Sequence, residues 1–287
     1  MPEFSVLLPV YHGDVPSHFT RALRSVGADQ TLPPDQIVIV ADGPVPSGIA
    51  VLLDALEQGG HEELTGGAEV TVVRRARNSG LGPALNDGLR ACVHDVVARA
   101  DADDISHPHR FEVQIPHIES GRDIVGSAIV EFEEDEHRTG MVRRMPRTDE
   151  EIRRSISFRD PFNHPTVVYR VSGVCRAGWY EDLPLMEDYW LFARMVADGQ
   201  EGYNDPEPLV SYRVGAGAYR RRGGMRLLRS EISLQRRMYL LGVTDKSQYL
   251  RNLIVRGAYR LVPTALRRLL YTQVGGRKWF RSAGDAT

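Results

Sequence analysis

Short apolar runs alternate with amphipathic segments through the first hundred residues. FSVLLPV (Phe4 to Val10) is unbroken in apolar character, as expected of a strand covered on both faces, and a helical pattern around HFTRALRSV follows it. QIVIVAD (Gln36 to Asp42) predicts a second strand stopping at Gly43-Pro44, with a helix near IAVLLDALEQ and a third strand at EVTVVRR, Glu69 to Arg75. NSGLGPALNDGLRACV opens another helix, and DVVARAD (Asp95 to Asp101) supplies a fourth strand. Strand–helix alternation with short linkers predicts an α/β fold with a mostly parallel, doubly wound sheet. Ligands of such sheets bind beyond the carboxyl ends of the strands, where Tyr11, Asp42, Arg77, Asn78 and Asp101 all fall.

From about Phe111 the pattern changes. DIVGSAIVEFEEDEHRTGMVRRMP predicts a hairpin with an acidic turn at Glu133–Glu136, followed by a helix at DEEIRRSIS and a strand at TVVYR, Thr166 to Arg170. EDYWLFARMVADG predicts a helix with a glycine stop. After Tyr212 the chain turns basic and helical, with no further strand signal. Three parts follow: residues 1–104 as one lobe, 105–215 as a second lobe of the same domain, and 216–287 as a basic helical C-terminal extension.

Composition narrows the class. The 287 residues, 42% hydrophobic and 26% charged, describe an ordinary globular chain, and a net charge of -2 gives no chain-wide argument for nucleic acid. Cys92 and Cys175 are too few for a disulfide framework and wrongly spaced for zinc, which favours a reducing, cytoplasmic setting. MPEFSVLLPVYHG lacks a basic start, so it does not read as a secretory signal, and no apolar run approaches the ~20 residues of a membrane span. The near-neutral total conceals an asymmetry: from Tyr212 to Arg281 only Glu231 and Asp245 oppose the lysines and arginines. YLRNLIVRGAYRLVPTALRRLLYTQVGGRKWF suits an anionic membrane surface, or equally an ordinary helix packed with its arginines outward.

The chemistry concentrates in ADADDISHPHR, where Asp101, Asp103 and Asp104 follow a buried strand. Three like charges this close require positive compensation. Hard cations such as Mg²⁺ and Mn²⁺ take one or two carboxylates plus substrate phosphates, so the pair Asp101 and Asp103 can hold a diphosphate through a metal. The alternative is an aspartate-rich turn capping the next helix. His107 and His109 are left out of the ligand set, because hard cations prefer oxygen and Pro108 is expected to start a helix that turns these rings away. No G-x-G-x-x-G follows the first strand, no G-x-x-x-x-G-K-[ST] occurs, and Ser79 and Ser106 lack triad partners. YHGDVPS does not supply the phosphate loop of a sugar nucleotidyltransferase. Trp190 lies on the apolar stripe of its helix and is expected in the core.

FSVLLPVYHG, VIVADGP, RNSGLGPALNDG, ARADADDISHPHRFEVQ, PFNHPTVVYR and LMEDYWLFARM occur in the order and rough spacing of family 2 glycosyltransferases. The chain resembles the bacterial exopolysaccharide and capsule branch of that family, amylovoran-type enzymes among them, from about Phe4 to Arg222. The resemblance implies a GT-A fold, with its Rossmann-like sheet and helices on both faces, and inverting transfer from a nucleotide diphosphate sugar, a UDP-sugar first. It likewise implies a glycan or lipid-linked hydroxyl as acceptor and Mn²⁺ or Mg²⁺ as cofactor. By position, Pro9, Val10 and Tyr11 line the base and ribose pocket, Asp42 meets the base, and Asn78 and Gly80 form the loop beneath the nucleotide, with Arg77 toward a phosphate. Asp101 binds ribose or metal waters with Ala102 beside it, and Asp103 is the direct metal ligand. Asp188 resembles the general base, where the bare pattern slightly favours a helix cap and the ordered motif set reverses that. Glu187 is expected beside the acceptor, and His164 at the acceptor or the pyrophosphate, although a lone histidine is more often a structural residue.

Two departures stand out. Ala41 replaces an acid near the base, and Arg220, Arg221 and Arg222 stand where many relatives carry a histidine over the diphosphate. The lipid-linked acceptor implied by the resemblance favours the membrane reading of the basic tail, at the inner face of the cell membrane. The competing reading is a catalytically silent nucleotide-sugar-binding partner in a synthase assembly.

Overall fold

The computed structural model describes residues 2–214 and 225–261. Its parallel half contains β1 (Phe4–Val10), β2 (Gln36–Ala41), β3 (Glu69–Arg74) and β4 (Val96–Arg99), connected through α1 (Pro16–Val26), α2 (Ser47–Glu57), the single turn α3 (Glu62–Thr65) and α4 (Leu81–Ala91). β1 lies between β2 and β4, with Leu7 beside Val38 on one side and beside Arg99 on the other. Every residue of β1 and β2 is buried, which explains their unbroken apolar sequence. Alternate side chains enter opposite cores. Leu7, Val38 and Val40 pack with Leu85 and Leu89 of α4, while Val6, Leu8, Ile37 and Ile39 pack with Phe19 and Leu23 of α1. Gly88 permits the first contact, since a Cβ there would overlap the Leu7 and Val40 side chains.

The second half adds β5 (Ile105–Ser106), α5 (Arg110–Glu119), β6 (Ile124–Phe132), β7 (Thr139–Arg143), α6 (Asp149–Ile156), β8 (Val168–Arg170), α7 (Val171–Arg176), α8 (Glu187–Ala197) and β9 (Gly202–Arg213). The strand order is β3-β2-β1-β4-β8-β6-β9-β5, with β7 paired to β6 as the expected hairpin. β9 is a strand that the sequence pattern does not announce. Its register moves from Ser127 opposite Asp205 to Ala128 opposite Pro208, so Pro206 and Glu207 bulge out of the ladder. Prolines remove ladder donors, so such a run reads as a loop.

Two features open the site. β4 pairs with β1 only as far as Leu7 and Arg99, whereas β1 runs on beside β2 to Val10 and Ala41. The ends of β1 and β4 therefore separate, and Pro9 lies beyond its last β4 neighbour, where it withholds no ladder hydrogen bond. Helices α9 (Met225–Leu240) and α10 (Lys246–Leu261) belong to the basic extension and pack on the second lobe. Leu227, Leu234 and Met238 join the core of α8, and Asn252 donates to the Ser157 carbonyl at 2.7 Å.

Candidate active site

The aspartate turn leaves β4 into the crevice where the ends of β1 and β4 separate, held by arginines on two sides. Arg99 is 1% exposed and ion-pairs Asp101 at 2.5 Å. Arg213, the last residue of β9, donates its backbone N–H to Asp104 at 2.8 Å and its guanidinium to the Asp103 carbonyl at 3.0 Å. Beneath them Arg110 donates to the Arg99 carbonyl at 2.7 Å, and burial together with the Arg99 charge pushes it down to about 9. α5 begins at Arg110 with His109 as an unassisted N-cap, so the aspartates do not cap that helix. His107 and His109 turn toward β9, reaching Ser211 at 3.0 Å and Glu207 at 2.8 Å.

Negative charge nevertheless remains in excess. Asp14 folds back to accept the Tyr11 N–H at 2.8 Å, and burial raises it to about 7, with Asp103 and Asp101 adding to the effect. Burial, then Asp101 and Asp103, raises Asp104 well above the ordinary carboxylate range, and its Oδ2 is buried without a partner among the described residues. No three His, Cys, Asp or Glu side chains among the described residues are placed to hold a metal by themselves. The donor set is all hard oxygen. Carboxyls raised by burial and then by one another's charge, with one orphaned oxygen, suit a divalent cation that completes its shell with phosphate and water.

On the β2 side, Asp42 fastens a loop. Buried to 4% exposure, it accepts the Ser79 and Gly80 N–H groups, each at 3.1 Å, and Arg75 at 2.5 Å. Arg75 also reaches Asp87 at 2.9 Å, tying the loop to α4. Gly43 holds a left-handed backbone (φ 83) against Asn78, too close to admit a Cβ. Arg77 and Asn78 face solvent at the crevice, Pro9, Val10 and Ala102 are buried in its wall, and Tyr11 stands at the rim, 38% exposed.

The opposite wall is the start of α8. Asp188 accepts the Tyr189 N–H at 2.7 Å through Oδ1, while its Oδ2 lies 3.8 Å from His164 Nδ1. Its side chain is 27% exposed, and burial raises it. Glu187 accepts the Met186 N–H at 3.0 Å and is raised to about 7 by burial, then by Asp188. The N-cap position of α8 is Met186, which makes no side-chain cap, so the two acids accept only N–H groups of adjacent residues, and neither forms an ion pair with a lysine or arginine among the described residues. His164, expected toward the acceptor, is 8% exposed and faces inward, with Nε2 2.9 Å from the Tyr180 hydroxyl. A Cβ on Gly82 would come within 3.6 Å of Glu187, so the start of α4 and the start of α8 share one wall. The Arg99 charge is felt at Asp188 as well as at Asp101 and Asp104, which places both walls within one electrostatic neighbourhood. Arg220, Arg221 and Arg222 lie outside the described residues.

Sequence reasoning missed Arg75, Arg99, Asp14 and Tyr180. Only Arg99 left a visible trace, as a cation inside the apolar run VVARA.

Residues 5–183 match the model of glycosyl transferase family 2. The chain is 35% identical over 270 residues to the amylovoran biosynthesis glycosyltransferase AmsE of Erwinia amylovora, covering 93% of this chain and 97% of that one. It is 34% identical over 275 residues to the UDP-Gal:alpha-D-GlcNAc-diphosphoundecaprenol beta-1,3-galactosyltransferase of Escherichia coli, covering 95% and 96%. Among solved structures, the mannosyltransferase PcManGT from Pyrobaculum calidifontis in complex with GDP-Man and Mn2+ is similar with a TM-score of 0.65 at 15% identity, over 94% of this chain and 75% of that one. The fold is GT-A. The chain belongs to glycosyl transferase family 2.

Proposed function

We propose that the chain is an inverting, metal-dependent glycosyltransferase of bacterial surface-polysaccharide synthesis. It moves a sugar from a nucleotide diphosphate sugar, a UDP-sugar first, to a hydroxyl of a lipid-linked or glycan acceptor. The observation that carries this reading is the crevice itself, with Asp101–Asp104 on one wall, Asp188 on the other, and Arg99 acting on both. The two relatives named above act, by their names, in amylovoran biosynthesis and on a diphosphoundecaprenol-linked sugar.

Each residue then has a physical task. Pro9, Val10 and Tyr11 wall the nucleoside, Asp42 keeps the loop bearing Arg77, Asn78 and Gly80 beneath it, and Ala102 lets the donor approach the turn closely. Asp103, with Asp101, would hold a divalent cation, which when bound neutralises charge developing on the departing diphosphate. Asp188 accepts the proton of the attacking hydroxyl. No protein nucleophile is needed, so a single displacement inverts the anomeric carbon. Glu187, protonated through much of the acidic range, is suited to donate a hydrogen bond to the acceptor.

Contact with an anionic membrane surface belongs to the same proposal. On the outer face of α9 and α10, Ile232, Leu240, Leu250 and Ile254 are exposed among Arg229, Arg236 and Arg251. No helix among the described residues is long and apolar enough to cross a membrane.

The test is release of nucleoside diphosphate from a panel of UDP-, GDP- and dTDP-sugars with Mn²⁺ or Mg²⁺, using diphosphoundecaprenol-linked GlcNAc as the probe acceptor. One donor is expected to turn over, and Asp188→Asn should reduce its turnover about 10²–10⁴-fold. A donor that binds but never turns over would instead support the silent binding partner.

A further inference from the structure

Behind Asp188 lies a chain of polar groups that substrate cannot reach. Tyr169 on β8, Tyr180 and His164 are all buried, and their polar atoms follow one another toward the carboxylate: Tyr169 Oη to Tyr180 Oη at 3.3 Å, Tyr180 Oη to His164 Nε2 at 2.9 Å, and His164 Nδ1 to Asp188 Oδ2 at 3.8 Å. We infer that His164 is a positioning residue for Asp188, presenting Nδ1–H to it at the end of a donor chain that starts at Tyr169. The inference rests on the reading of Asp188 as the base.

The direction of the chain follows from counting protons. Burial holds the His164 imidazole well below its ordinary value, so it is neutral and has one N–H and one bare nitrogen. Burial also raises both phenols, which keeps them protonated. Asp188 acting as a base is a carboxylate and has no proton to give. The nitrogen facing it therefore carries the hydrogen, and Nε2 accepts from Tyr180, whose oxygen accepts in turn from Tyr169. The reverse polarity would set a bare nitrogen against a carboxylate in a buried place, with no gain elsewhere in the chain.

The supports are rigid. The Tyr180 backbone is clasped by the Asn86 side chain at 2.8 and 2.9 Å, and the His164 ring stands edge-on to Phe192 with centroids 5.9 Å apart. At 3.8 Å the imidazole acts on Asp188 as an oriented dipole, and a small rotation of Asp188 converts this into a hydrogen bond. The groups facing Asp188 give that dipole its weight. Asp101, Asp160 and Glu187 oppose its negative charge, while Arg99 and the Tyr189 N–H favour it. Loss of the dipole tips the balance toward the protonated acid, which cannot take a proton.

Nitrogen NMR of the full chain labelled at its nine histidines tests the polarity without any substrate, with His164 assigned by its disappearance in His164→Gln. The Nδ1–H tautomer is expected for His164 between pH 5.5 and 8, and an Nε2–H or doubly protonated ring would overturn the inference. The kinetic arm uses Tyr180→Phe, which removes only a hydroxyl. Its acid limb in kcat should move to higher pH, with turnover at pH 7 about three- to tenfold lower and the donor KM unchanged. His164→Asn, whose amide nitrogen lies where Nδ1 does, should retain more turnover than His164→Gln. A wild-type pH profile in Tyr180→Phe, beside an inactive Asp188→Asn, removes the positioning role and leaves the base in place. An active Asp188→Asn removes the base reading, and the positioning role with it.

Discussion

A guanidinium at 1% exposure, next to apolar strand residues, is the least expected side chain of the site. Arg99 holds Asp101, favours the ionised forms of Asp104 and Asp188, and leaves Nε and Nη1 without partners among the described residues. Removing one member of a buried pair strands the other, so Arg99→Met should lower unfolding free energy at pH 7 by about 3 kcal/mol. The loss should shrink at pH 5, where the stranded carboxyls begin to protonate, and equal urea midpoints for both proteins at pH 7 would contradict this account. Glu187 predicts a pH dependence of its own. Its folded value, about 7, lies above the ordinary 4.5, so its stabilising contribution is complete below about 4.5 and disappears as pH rises through 7. Glu187→Gln should flatten the decline in thermal stability between pH 4.5 and 7 by on the order of 2 kcal/mol. At this scale the sequence revealed residue types but not pairings. Asp188 and the aspartate turn could be singled out because their order along the chain is distinctive, and the structure places both on the walls of one crevice. The inward turn of His164 onto Tyr180 and the latch from Asp42 to Arg75 join residues 16 and 33 positions apart, beyond what a local pattern encodes.

Elements were legible where periodicity was clean. β1, β2, α4 and α8 lie close to where their apolar spacing puts them, because burial on two faces or along one stripe leaves a regular trace. β9 left none, since its bulge and two prolines break the alternation, yet it carries Arg213 to the aspartate turn. The basic extension shows the converse: its pattern allowed either a packed helix or a membrane face, and the described helix pair packs on the second lobe while leaving Ile232, Leu240, Leu250 and Ile254 exposed. Arg256 pairs with the fully buried Glu231 at 2.6 Å and donates to the Phe158 carbonyl at 2.5 Å, fixing α10 to the second lobe. Cutting the chain after Gly242 would strand Glu231, so reduced vesicle binding by such a truncation would not isolate the outer face. Ile254→Ser combined with Leu250→Ser alters only exposed positions. The double variant should melt within about 1 °C of the parent, because surface changes alter stability by only ~0.5 kcal/mol. Its flotation with anionic liposomes should fall several-fold, and undiminished flotation would dismiss membrane contact through this face. Arg256→Met should instead lower stability by about 3–5 kcal/mol, as expected when a buried carboxylate loses its partner.

At the scale of the molecule, two cores on opposite faces of one sheet hold the strand ends still while the crevice between β1 and β4 carries unbalanced charge. Such a site should gain stability when its charge is answered, since a ligand that binds only the folded state stabilises it in proportion to RT ln(1 + [L]/Kd). UDP alone brings more negative charge to Asp101–Asp104 and should bind weakly. Mn²⁺ alone meets one or two carboxylates and should also bind weakly. Together each completes the other's shell, so the two should act far more than additively. At a hundredfold excess over Kd the gain is about 2.7 kcal/mol, a rise in Tm of about 5 °C for a chain of this length, reversed by EDTA. Asp103→Asn should abolish the synergy while leaving the ligand-free melting point unchanged or slightly raised, because it removes one of the charges that raise Asp14 and Asp104. Purely additive shifts from nucleotide and metal in the parent protein, unaltered by Asp103→Asn, would separate the aspartate turn from the diphosphate and leave its charge a matter of folding alone.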